Sequence, residues 1–266
     1  MSFWVLVGVL SVVYVLVGRL ERMPALRFRE LTSPRPYLAT DVGWYGIAIL
    51  ASAASVFVFR PLLTRLAVTP IRDQIMRLPL AVKLVVAVLV FDFVSFLVHR
   101  TMHRYQPLWN IHKVHHSTLE LDGLATTRTH MIENMVRFLP GQALLFLVGT
   151  PVSIVASAVA LSAIYGVSNH SNIGLDLRTL ERLLVTPRLH RRHHVPSTTM
   201  NNYGTIFTLW DRLFGTLLQA DMTDDERYGV PGEIDTYPQA FAAAFRQPVL
   251  DLVTRRAASR PVASGE

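Results

Sequence analysis

Long apolar runs separated by short basic stretches dominate the first half of the chain. Residues 2–18 carry no charge and end at Arg19, Glu21 and Arg22. Residues 42–59 form a second uncharged run closed by Arg60, and residues 79–98 a third, interrupted by Lys83 and Asp92. A hydrocarbon core of about 30 Å needs about 17–25 helical residues, so each run predicts a membrane-spanning helix. Residues 137–168 are apolar again, with Gly149-Thr150-Pro151 near the middle. That stretch is long for one span and short for two, and proline breaks a helix. It predicts a helical hairpin turning at 149–151.

The hairpin returns the chain to the side it left, so the polar segments 99–136 and 169–216 can meet. The pattern divides the chain into N-terminal membrane helices and loops (1–78), a central unit (79–217), a small cytosolic helical appendage (218–250) and a disordered tail (251–266). The first run lacks a basic leader and a small-residue cleavage site, so it is expected to stay as an anchor. Residues 1–18 carry no Lys or Arg and residues 19–36 carry five arginines, which places the N-terminus outside and the polar segments in the cytoplasm. Arg60, Arg65, Arg72 and Arg77 in the loop 60–78 run against that orientation.

Composition sharpens this picture. The 266 residues are 51% apolar, with a formal charge of +7 and a mean hydropathy of +0.33. The arginines mostly flank apolar runs, where they suit anionic lipid heads, and no nucleic-acid motif accompanies them, so no nucleic-acid partner is expected. Cysteine is absent. Any metal must then sit on nitrogen or oxygen ligands.

All ten histidines fall between residues 99 and 194, eight of them as His99-x3-His103, His112-x2-His115-His116 and His190-x2-His193-His194. Residues three or four apart share a helix face, so each cluster can aim several imidazoles at one pocket. Eight exceed what one metal takes, which predicts a two-metal site. An imidazole set suits iron, zinc, copper or nickel, and spacing does not choose. A zinc-dependent membrane hydrolase and a metal-ion transporter or buffer are the alternatives. Transporters usually place their ligands within their spans near the midplane, whereas these clusters lie just beyond them. Asp92, Phe96, His99 and His103 share a helical stripe, so Asp92 either orients a ligand from behind or is a packing carboxylate.

The segments VHRTMH (98–103), HKVHH (112–116) and LHRRHH (189–194), with a membrane hairpin between them, resemble the fatty acid hydroxylase/sterol desaturase superfamily of membrane di-iron enzymes. The similarity covers residues 79–217, which it makes the catalytic domain. It continues through SNHSNIG (168–174), NNYG (201–204) and LWDRLFGT (209–216), as in bacterial members. The resemblance implies an all-α, polytopic membrane helical domain whose cytosolic histidine-rich cap holds two iron ions (Fe2+/Fe3+). It further implies O2 as co-substrate, external electrons, and hydroxylation or desaturation of sterols, acyl chains or other lipids, here in a bacterial inner membrane. By position it marks His99, His103, His112, His115, His116, His170, His190, His193 and His194 as metal ligands. His130 stands where many members have His-Pro-x-Glu; here it reads His130-Met131-Ile132-Glu133, which makes His130 a further candidate ligand and Glu133 a candidate partner of a ligand imidazole. Asn202 and Tyr203 are candidates to line the pocket or form a turn. Trp210, Asp211 and Arg212 read as an interfacial anchor with a local ion pair.

Hydroxylation is preferred over desaturation, although both use the same histidines. Arg188, Arg191 and Arg192 are expected to receive an anionic lipid head. No haem segment, dinucleotide-binding fingerprint or cysteine cluster is present in this sequence, so a separate donor (a reductase, a ferredoxin or a cytochrome b5-like protein) is expected to supply electrons.

Overall fold

Each apolar run becomes a helix, and the polar stretches become short helices and turns. The structure is a computed structural model that describes residues 3–66, 69–223 and 226–254. Its helices are α1 (Phe3–Leu20), α2 (Leu38–Ala54), α3 (Arg60–Arg65), α4 (Thr69–Arg77), α5 (Leu80–Arg104), α6 (Gln106–His112), α7 (Met131–Leu147), α8 (Val152–His170), α9 (Pro187–His193), α10 (Leu209–Leu213) and α11 (Phe241–Val253). Among the described residues there is no strand, only isolated bridges such as Arg27 with Ile173.

Three helices are long and apolar enough to cross a membrane: α1, α5 and α8. The second apolar run is shorter than a full span in α2 itself, but a π-helical turn (Ser55–Phe59) carries it into α3. Apolar side chains such as Val12 and Leu16 of α1 and Val85 and Val86 of α5 stay exposed, as a hydrocarbon surround requires. The chain is a membrane protein.

The expected hairpin is present. Helix α7 ends at Leu147, Gly149 takes φ of +80°, and Pro151 precedes α8. Glycine suits that backbone because it has no Cβ to clash. Helices α5, α7 and α8 then pack through Ala87, Phe91, Leu145, Phe146, Ile154, Val155 and Ala158. Gly141 of α7 lets the Phe91 ring of α5 close in, since a Cβ there would lie 2.8 Å from Phe91 Cδ2. Because the chain leaves the cap in α7 and returns in α8, the C-terminal ends of α5 and α8 lie at one end of the bundle.

The cap is fastened to these ends by buried polar contacts. Glu21, just past α1, accepts from the backbone N–H groups of Gly123 (2.9 Å) and Asn172 (3.0 Å). Asp41 of α2 pairs with Arg35 and Arg128. The segment 218–250, expected to be a helical appendage, is helical only from Phe241, and it packs on the body. Val230, Tyr237 and Ala244 share a core with Trp44 of α2 and Trp109 of α6. Lys113, 1% exposed at its side chain, reaches Glu233 (3.0 Å) and Asp251 (2.8 Å). The tail expected to be disordered from residue 251 instead begins as helix, since residues 251–253 complete α11 with Asp251 buried against Lys113; residues 255–266 lie outside the described residues.

Candidate metal centre

Nine of the ten histidines gather into two groups at the cap end of the bundle. His99, His103, His112, His116 and His193 form one, and His115, His170, His190 and His194 the other, the ligand atoms of each lying within 4.8 Å of one another. His99 and His103 sit one turn apart in the last turns of α5, and His170 is the final residue of α8. His112 ends α6, and Pro187 at the start of α9 sets up the short helix that carries His190 and His193. Each HxxHH cluster divides between the groups: its two histidines four apart share one group and its middle histidine joins the other. The rings of His116 and His194 stack across the division with centroids 4.4 Å apart.

Hydrogen bonding at the far nitrogen of five rings fixes what the near nitrogen can do. His99 donates from Nδ1 to the Tyr203 carbonyl (2.8 Å), and His112 donates from Nδ1 to Glu133 Oε1 (2.7 Å). His115, His170 and His193 donate in the same way to the carbonyls of Arg128, Gly166 and Asn201. A neutral imidazole has one N–H, so each of these rings turns a bare Nε2 lone pair inward. Nε2 of His99 and Nε2 of His112 nevertheless lie 3.1 Å apart, and those of His115 and His170 3.0 Å apart. Two lone pairs face each other in both places, and only a cation between them makes that favourable. An ion about 2.1 Å from two ligand nitrogens holds them roughly 3.0–3.4 Å apart. Both nitrogens of His103 and of His116, Nδ1 of His190 and of His194, and Nε2 of His193 are buried without a partner. The donor set fits two metal ions.

Burial, more than any other cause, keeps these rings neutral. It holds His112, His190 and His194 well below the ordinary histidine pKa, with neighbouring charges adding to the effect. His193 is pushed down to about 3 by burial, against the Asn201 carbonyl, which raises it. Neutral rings are the metal-binding form.

The groups behind the ligands differ in part from expectation. Glu133 does hold a ligand ring, that of His112. Asp92 touches no histidine: its carboxylate accepts from the backbone of Ile206 (2.9 Å) and Phe207 (3.1 Å) and from Trp210 Nε1 (2.9 Å). It anchors the loop whose Tyr203 carbonyl holds His99. Asn202 also misses the rings. In the left-handed region at φ 55°, it bonds the backbone of Leu189 and Leu218 and so braces α9. Asn202 thus takes the turn role, and backbone carbonyls, of which a sequence pattern carries no sign, hold four of the rings.

His130 joins neither group. Its Nδ1 accepts from the Ile132 N–H as the cap of α7, and its ring packs on Trp44 and Phe245. Without the proline of the usual motif, residue 131 keeps the N–H with which α7 begins. Trp210, Asp211 and Arg212 form no local ion pair; Asp211 accepts from Tyr203 and Gly204 N–H groups, and Arg212 donates to the Glu181 carbonyl. Arg188, Arg191 and Arg192 are likewise committed within the protein. Arg188 pairs with Glu181 and Asp221, Arg192 pairs with Glu226, and buried Arg191 bonds Leu121, Ser171 and Tyr228. They are not a free basic surface for a lipid head. Arg137, unremarked in the sequence, lies buried beside the site.

Residues 84–216 match the family described as fatty acid hydroxylase, half of the chain and all nine grouped histidines. The chain belongs to the fatty acid hydroxylase family. Among similar members, the ornithine lipid hydroxylase OlsE of Rhizobium tropici is 31% identical over 172 residues, 64% of this chain and 51% of that protein. The alkylglycerol monooxygenase of Danio rerio is 32% identical over 141 residues, 52% of this chain and 31% of the relative. Methylsterol monooxygenase 1 of Danio rerio is 29% identical over 132 residues, 47% and 43% of the two chains. The chain thus spans about half, or less, of the length of these curated relatives. No solved structure matches it. Within the family frame, the segment 226–254 that grips Lys113 lies outside the matched region.

Proposed function

We propose that this protein is an O2-dependent membrane hydroxylase of a lipid, using two iron ions held by the nine grouped histidines on the cytoplasmic face of a bacterial inner membrane. The observation that carries this reading is the pair of facing, bare Nε2 contacts, one in each histidine group. The relatives' names favour hydroxylation, since they describe hydroxylases and monooxygenases of ornithine lipid, alkylglycerol and methylsterol. The overall change is R–H + O2 + 2 e− + 2 H+ → R–OH + H2O. When bound, the two ions supply the redox chemistry that reduces O2 and oxidises the C–H bond.

The chain's own residues supply position and exclusion. Buried imidazoles present neutral nitrogens, and Glu133 and the carbonyls of Tyr203, Asn201, Gly166 and Arg128 hold five of the rings in one tautomer. The segment around Val230 and Tyr237 packs on Val114 and on Trp109, whose ring lies against His103 and His116, and so covers that side of the first histidine group. An apolar cavity of about 190 Å³ beside Val86, Ala87, Val90, Leu144 and Leu145 offers room for hydrocarbon farther along α5. Electrons come from a separate donor: nine of the ten histidines are in the metal groups and the sequence holds no cysteine for an iron–sulfur cluster.

Metal analysis of the purified protein, joined to lipid mass spectrometry of cells with and without it, tests the proposal. Two irons per chain and a lipid heavier by one oxygen, formed only with O2, are expected. Zinc with an O2-independent product would instead indicate a hydrolase, and ion flux across vesicles without turnover a transporter.

A further inference from the structure

Arg137 is a buried cation without a salt bridge: its guanidinium lies over the Phe138 ring at 5.6 Å, and Glu133 and Asp92 act on it only from a distance. It sits one turn deeper on α7 than Glu133 and is 9% exposed. Its Nη2 reaches only Thr205 Oγ1, at 3.4 Å, and its Nε has no acceptor. Among the described residues no carboxylate lies within salt-bridge distance of it. Thr205 is held in turn by Asn169, which donates to its carbonyl at 2.6 Å and leaves its own Oδ1 buried and unpartnered. Glu133 Oε2 is unpartnered as well.

This set of polar side chains borders both histidine groups. Glu133 touches His112 of the first, and Asn169 precedes His170 of the second. The Arg137 charge is close enough to act on His112 and His193 in one group and on His115 and His190 in the other. A buried charge without a close counter-ion is costly, and the nine neutral imidazoles themselves bring no negative charge to offset two divalent ions. The unpartnered Nε belongs to a planar donor fork that suits a carboxylate, and it is buried beside histidine groups where a further anion is electrostatically favoured.

We infer that Arg137, held by Thr205, binds a carboxylate of the lipid substrate and so fixes the carbon beside it at the metal centre. This inference rests on the hydroxylase reading and narrows the substrate to lipids with a free carboxylate near the oxidised position. It makes Arg137 a specificity-determining residue.

The test measures binding alone, on full-length metal-loaded protein in detergent, without O2 or reductant. The probes are N-palmitoylglycine and its methyl ester. Wild type is expected to bind the acid at least tenfold more tightly than the ester. Arg137→Gln should bind the two alike with unchanged metal content, Arg137→Lys should keep part of the preference, and Thr205→Val should lower it several-fold. A wild type without the preference, or an Arg137→Gln that retains it, overturns the inference. So does an Arg137→Gln that loses metal and both lipids together, since that marks a structural role. Preference for the acid without any O2-dependent product would sink the hydroxylase reading and leave the anion site standing.

Discussion

Replacing Glu133 probes the link between the fold and the metal centre at a single buried contact. The Glu133 carboxylate accepts from His112 Nδ1 at 2.7 Å, and both side chains are fully buried. It holds the ring in the tautomer that turns Nε2 inward and raises the basicity of that nitrogen. Losing such a partner typically costs about 10–100-fold in metal affinity, or about 1.4–2.7 kcal/mol. Glu133→Gln keeps an acceptor oxygen but loses the charge, so it should fall near the low end. Glu133→Leu loses both and should fall near the high end. Because His112 belongs to the five-histidine group, only one of two ions should weaken. Dialysis against graded chelator, with metal content read by mass spectrometry, should show one ion per chain leaving at a lower chelator concentration than in wild type. A circular-dichroism melt confirms that the helices remain. If both variants hold two ions as tightly as wild type, the assignment of Glu133 as the support of His112 is wrong.

Three further outcomes follow from the same structure. Lys113→Ala leaves Asp251 buried without its cation and should cost about 3–5 kcal/mol, seen as a lower melting temperature; Lys113→Met with Asp251→Leu should recover much of it. Gly141→Ala forces a methyl group against the Phe91 ring at 2.8 Å and should destabilise the α5–α7 contact by about 1–3 kcal/mol in denaturant titration. His193, lowered from an ordinary 6.5 to about 3, resists protonation in the folded state only. Its contribution to stability is therefore whole above about pH 6.5 and is lost progressively as pH falls toward 3, at up to about 1.4 kcal/mol per pH unit for each such ring. Melting of the metal-free protein across that range checks the sign; stability rising on acidification would contradict the burial of these rings.

Much of the architecture follows from local pattern. Uncharged runs of spanning length, Gly149-Thr150-Pro151 between two apolar halves, and histidines three and four apart each carry a short-range physical signal. Those signals lead to α1, α5 and the α7–α8 hairpin, and to the two ends of the bundle where the clusters meet. That Glu133 supports some ligand imidazole is implied by the family resemblance at 130–133; that the ring is His112, 21 residues earlier, is decided by the fold.

What lay out of reach depends on contacts between distant segments. Nothing local to His112-x2-His115-His116 says that the middle ring joins the other group; that is decided by where α6, α8 and α9 end relative to one another. The carbonyls of Tyr203 and Asn201 are backbone atoms, which every residue possesses, so only their placement 104 and 8 residues away in sequence from His99 and His193 makes them partners. The stripe leaves Asp92 either orienting a ligand or packing, and only the fold decides, since its bonds run to a loop more than 100 residues later. Arginines 188, 191 and 192 looked like free surface charge until the fold brought Glu181, Tyr228 and Glu226 against them. Sequence sets which elements form and which residue types are at hand; the packing of those elements decides which atoms face one another, and a metal site is a matter of atoms.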